Sequence, residues 1–108
     1  MITVLEQTFD LVGAATLITA NAGKKINIVG ISISENSDVG GFFRMQFATT
    51  ATYGTTSNGV WIEARGQWGI PISRDSTKHA YFIGDTDEDF ICQAPDARMS
   101  GIIWYYET

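Results

Sequence analysis

The chain has 108 residues, 44% hydrophobic and 18% charged, and twelve acids against seven bases leave a net charge of −5. That balance belongs to one globular domain and is the opposite of what keeps a chain disordered. The bases are scattered, with Lys24 and Lys25 the one adjacent pair, so the clustered cations of a phosphate-binding surface are absent and nucleic acid is not an expected partner. Cys92 is the single cysteine; it excludes an intrachain disulfide and fits a reducing compartment. The first ten residues, Met1 to Asp10, have neither the basic start nor the apolar core of a secretory signal. No apolar run approaches the roughly 18 residues of a membrane span, so a membrane partner is not expected either.

Period-two patterning recurs along the chain, and no 3.6-residue stripe lasts three turns. Ile2 to Leu11 alternates loosely and reads as an N-terminal arm or an edge strand, and Thr16 to Ala20 as a second short strand. The Asn21-Ala-Gly23 turn leads into Lys25 to Ser34, where Ile26 and Ile28 share one face and Val29, Ile31 and Ile33 the other. That change of phase predicts burial on both faces or a bulge near Gly30. Phe43, Met45 and Phe47 form one apolar face of the next strand, with Arg44 and Gln46 on the other. A Thr-rich stretch follows and ends at Asn58-Gly59, a turn signal. Val60 to Ala64 is a strand; Trp68, Ile70 and Ile72 mark another, which Pro71 pushes toward an edge. His79 to Ile83, Phe90 to Cys92 and Met99 to Tyr106 complete the set. The expected fold is all-β: one antiparallel β-sandwich or jelly-roll domain over residues 1–108, of about eight short strands.

Chemistry-bearing residues are few. Asp85, Asp87 and Asp89 alternate as calcium ligands do, but a calcium loop needs a glycine at its sixth position and Phe90 stands there. A solvated acidic hairpin is the simpler reading, and no metal is expected. His79 alternates with Tyr81 and Ile83 on a strand, no Gly-x-Ser-x-Gly elbow occurs, and no glycine pattern makes a phosphate cradle. No catalytic constellation follows, no cofactor is implied, and an enzyme is not expected. Cys92 shares a strand face with Phe90 and reads as a small core residue. The thirteen aromatics are more informative. Trp61, Trp68, Trp104, Tyr53 and Tyr81 could stack on sugar rings. Trp61 and Trp104, however, fall opposite aliphatic runs, so their strands are apolar on both faces and call for two covers, a partner sheet and another chain.

Gly23-Lys-Lys-Ile-Asn-Ile-Val-Gly30 early in the chain and Ser100-Gly-Ile-Ile-Trp-Tyr-Tyr-Glu107 at its close resemble small tailed-phage virion proteins of the head-decoration (cement) or fibre-associated kind. Phe43 to Phe47 and the Gly69-Ile-Pro-Ile72 turn take the places such proteins give to a phenylalanine strand and a Gly-x-Pro-Ile turn. The resemblance implies a β-sandwich that oligomerises, often as a trimer, on a capsid or at a fibre base. It carries no catalytic residues. The function expected is decoration of an assembled phage head by a homotrimer bound to the major capsid protein, a virion component made in the host cytoplasm. Val4, Leu5 and Phe9 are the candidate capsid contacts; Phe42, Trp61, Trp104 and Tyr106 are the candidate oligomer seam. The alternative is a carbohydrate-binding module of a fibre or baseplate.

Overall fold

A computed structural model describes residues 3–35, 40–48, 60–72 and 80–108, with the side chains of residues 60, 61 and 64 also left outside the description. Among the described residues seven strands run in chain order: β1 (Leu5–Ile18), β2 (Ile26–Glu35), β3 (Gly41–Ala48), β4 (Val60–Ala64), β5 (Gln67–Ile70), β6 (Phe82–Ile83) and β7 (Asp89–Glu107). Every pairing is antiparallel. The last strand organises the rest. Its first residues, Asp89 to Gln93, pair with β3, its later ones, Met99 to Glu107, pair with β2, and β1 accompanies it from Phe90 to Tyr105. β4 extends the sheet beyond β3, and β5 and β6 follow one another along the far side of β2.

Because β7 changes neighbours midway, the sheet curls and its concave face closes on itself. Phe9 of β1 stacks on Phe43 of β3 with ring centroids 5.7 Å apart, and Phe47 meets Phe90 at 5.2 Å. Phe43, Phe90, Ile26, Ile28, Ile31, Ile33, Met99 and Ile103 are the buried centre, each stabilising the fold by about 1.5–3 kcal/mol through loss of water contact. The result is an all-β, antiparallel, single compact domain with a curled sheet.

Two strands are longer than periodicity alone predicts, so the nine segments read from the sequence become seven strands among the described residues, against about eight expected. Ile2–Leu11 and Thr16–Ala20 are parts of one β1, and Phe90–Cys92 and Met99–Tyr106 are parts of one β7. Each pair is joined through an irregularity instead of a loop. Between Leu11↔Met99 and Gly13↔Ala94 the register jumps, so Val12 alone faces Pro95 to Arg98. Gly13 takes φ 78° there, a value that costs glycine little, and Pro95, which lacks an N–H, falls where the ladder is already interrupted. Arg98 donates to both carboxylate oxygens of Asp10 across the irregularity. From Leu5 onward this segment pairs with β7 as a strand, so its described part from Leu5 is no detached arm.

The phase change in β2 has its bulge. The register slips between Ile28 and Gly30, and residues 26–31 are buried throughout. In β3, Phe43, Met45 and Phe47 face the core, yet Arg44 and Gln46 on the opposite face are buried as well. The sheet is covered on both sides there.

Candidate interaction surfaces

The acidic run is spent on backbone amides. Asp89 accepts from the Ala20 N–H at 2.9 Å and Asp87 from the Gly23 N–H at 2.6 Å, while the Asp87 N–H donates to the Lys24 carbonyl at 2.9 Å. Glu88 folds back to accept from the Asp85 N–H at 2.8 Å, and Asp87 sits at φ 66° to make the turn. These carboxylates knit the β6–β7 turn to the β1–β2 turn. Among the described residues no three metal-ligating side chains converge. The same end of the molecule is fastened by Asn21 donating to Glu107 at 2.6 Å and by the paired Lys25 and Thr108 backbones.

Cys92 is wholly buried, and burial pushes its thiol well above the ordinary range. It is a core group, closed to solvent. His79 and Tyr53 lie outside the described residues.

Of the candidate capsid contacts, Val4 is half-buried and Leu5 exposed. Phe9 is not a surface residue: it stacks on Phe43, because positions 9 and 11 are the ones β1 turns toward the concave side. Of the candidate seam, Phe42 is exposed on β3, and the Trp61 side chain lies outside the described residues. Tyr106 is 5% exposed and cannot supply a seam. Its strand partner Asn27 is equally covered, donating to the Tyr106, Lys25 and Thr108 oxygens.

Trp104 does reach a surface. Its Nε1 donates to Glu6 at 3.2 Å, and its ring forms one wall of an open groove of about 460 Å³. Ile31, Ser32, Gly69, Ile70, Pro71 and Ile72 complete its lining. Gly30 permits this arrangement, since a Cβ there would come within 2.7 Å of Ile72 Cγ1 and 3.1 Å of the Trp104 ring. The Tyr81 hydroxyl donates to the Pro71 carbonyl at 2.9 Å and ties the groove wall to the chain entering β6.

Sequence reasoning gave no surface role to three exposed aliphatic residues, Val12, Ile72 and Ile83. The only local signals are Val12 beside Gly13 and Ile83 beside Gly84, since an aliphatic residue at a strand irregularity or end has no guaranteed cover.

No known family model matches the chain, and no curated protein matches it. A solved structure described as "Bacillus endospore appendages form a novel family of disulfide-linked pili" is similar in fold, with a TM-score of 0.50, 10% identity, and coverage of 99% of this chain and 88% of that one. Such a likeness speaks to the fold alone.

Proposed function

We propose that this chain is a structural subunit of an assembled particle, and that its setting is a tailed-phage head, which it decorates as a homotrimer bound to the major capsid protein. The observation that carries the reading is the set of large apolar side chains left outside a core that is already closed: Leu5, Val12, Phe42, Ile72, Tyr81 and Ile83. Grouped apolar exposure of this kind is a mark of association surfaces. The likeness in fold to a pilus-forming protein points the same way, toward assembly. On this reading the curled sheet serves as a jelly-roll-type sandwich, whose halves are joined by β1 and β7 and held together by contacts such as Phe9 on Phe43.

Decoration works by mass action: a protein that binds the assembled shell and not its dissociated subunits stabilises the shell. Three-fold attachment multiplies weak contacts through effective concentration. The test is co-sedimentation with bare expanded heads, for which saturable binding and a higher temperature of head disruption are expected. Replacing Val4 and Leu5 together by Asp should weaken that binding roughly tenfold or more. A folded chain that leaves heads unbound and no more heat-resistant ends the reading.

The Trp104 groove favours a second function, carbohydrate binding, because an indole face beside serine and carboxylate groups suits a sugar ring. A glycan array, followed by Trp104→Ala on any hit, separates the two. Retained binding in the variant removes the groove from consideration.

A further inference from the structure

The exposed aliphatic and aromatic side chains are not spread at random; most of them flank two strand edges at opposite ends of one half of the sheet. That half runs in the order β1, β7, β2 and then β5 with β6. At one end, Leu5 and Val12 of β1 are 44% and 71% exposed. At the other, Ile72, Tyr81 and Ile83 beside β5 and β6 are 41%, 45% and 60% exposed. Between Leu5 and Leu11, β1 has no strand partner but β7 among the described residues, and β5 and β6 have none but β2.

We propose that these two edges are the two sides of one junction: residues 5–12 of β1 in one copy of this chain pair with the β5–β6 edge of the next, continuing the sheet from subunit to subunit. The inference rests on the assembly reading above and names where its copies meet.

Length, direction and chemistry all fit. Through β7, residues Leu5 to Leu11 stand level with Ile28 to Glu35 of β2, while β5 and β6 together stand level with Asn27 to Ser34. The two edges therefore span the same stretch of sheet. Both β1 and β2 run antiparallel to β7, and β5 runs antiparallel to β2, so a copy displaced along the sheet presents β1 antiparallel to β5. That is the stronger of the two ladder geometries. Open edges are ordinarily protected by lysine or proline, and β1 contains neither, nor any arginine. Its two charged residues are Glu6 and Asp10, whereas the exposed Arg65 stands just before β5 at the other edge. Pro71 interrupts the second edge between β5 and β6, where Ile72 offers apolar contact in place of a ladder bond. Pairing β1 with its own copy about a two-fold axis would leave the Ile72, Tyr81 and Ile83 side bare; the head-to-tail junction covers both. A head-to-tail junction closes into a ring if the sheet twist brings the third or later copy round, and otherwise continues.

The experiment uses two variants of the full chain, Val12→Lys to spoil one edge and Ile83→Lys to spoil the other, each checked for the wild-type thermal midpoint. Both positions are exposed; should Val12→Lys fail to fold, Leu5→Lys replaces it. Sedimentation velocity is run at roughly 100 μM, where even a micromolar junction is saturated. The expected result is that wild type associates, each variant alone is monomeric, and an equal mixture forms a dimer and nothing larger, since one intact edge of each kind remains. Association of the Ile83→Lys protein by itself would overturn the head-to-tail junction in favour of β1 pairing with β1. Undiminished association of both variants would overturn it while leaving the assembly reading in place. A monomeric wild type would overturn the two together.

Discussion

Cys92 shows how a residue's chemistry is decided by what surrounds it. Its side chain is wholly enclosed between strands, and burial raises its thiol pKa because the thiolate would have to form without water. Two outcomes follow. Native protein should react with a thiol reagent far more slowly than unfolded protein, and copies boiled without reductant should run as single chains, unlike the disulfide-linked pili of the structural neighbour. A raised native pKa means that the neutral thiol is the form the fold favours. Its contribution is therefore complete below the unfolded thiol value, roughly 8.5, and is lost as pH climbs through the native one. Tyr105, raised by burial and by the nearby Glu107, acts in the same alkaline direction. Urea midpoints should fall above about pH 9, and Cys92→Ala should flatten that fall. The Asp10–Arg98 pair works at the other end of the scale, with the Asp10 carboxyl lowered by its hydrogen bond to Arg98. Its contribution is present above the usual carboxylate range and lost as acid protonates Asp10; both partners are exposed, so that loss is small.

At the scale of elements, close approach between β2 and β7 depends on a missing side chain. A Cβ at Gly101 would lie 1.9 Å from the Ser32 carbonyl oxygen, which belongs to backbone and cannot swing away. Gly101→Ala should push the strands apart and cost about 3 kcal/mol or more through broken ladder bonds and lost packing. Thermal melts compared with Gly23→Ala provide the check, since nothing lies within 4 Å of a Cβ at Gly23 and only its φ of 77° resists the change. Equal midpoints for the two variants would contradict the close approach. The acidic turn belongs to this scale as well. Asp89→Ala removes the acceptor for the Ala20 N–H and should cost about 1 kcal/mol, with the same loss whether or not calcium is present. A calcium-dependent midpoint in the wild type would favour the metal reading instead.

For the whole molecule, the decisive feature is that β7 is common to nearly everything. It meets β1, β2 and β3, and its residues pair with partners as distant in sequence as Leu5 with Tyr105. Long-range pairing of this kind delays folding, because loop closure must precede the contacts that reward it. A chain ending at residue 98 should have no cooperative unfolding transition, as it would lack the shared partner of β1 and β2 and the buried Met99 and Ile103. A sharp melt by circular dichroism in that truncated chain would refute the dependence. The same feature bears on assembly: with both β1 and β2 tied to β7, the outward edges of β1 and of β5–β6 are, among the described residues, what this half of the sheet has left to offer a neighbour.

Much of this was legible residue by residue. Alternation placed Phe43, Met45 and Phe47 on one face, and the broken phase around Gly30 signalled the bulge, because period-two patterning is a direct consequence of the pleat. The strand class, the use of Cys92 as a core residue and the turn at Asn21–Gly23 follow from the same local rules. Tertiary structure decided the rest. Whether two apolar runs are separate strands or one long strand through an irregularity depends on the partner that runs alongside, as β1 and β7 do for each other. Whether Phe9 and Tyr106 face a neighbour or the chain's own interior depends on the tertiary arrangement: Phe9 stacks on Phe43, and Tyr106 is buried within the chain. Side-chain alternation is written locally, whereas cover is supplied by residues far away in sequence, so the pattern could reveal which groups need burial but not what buries them.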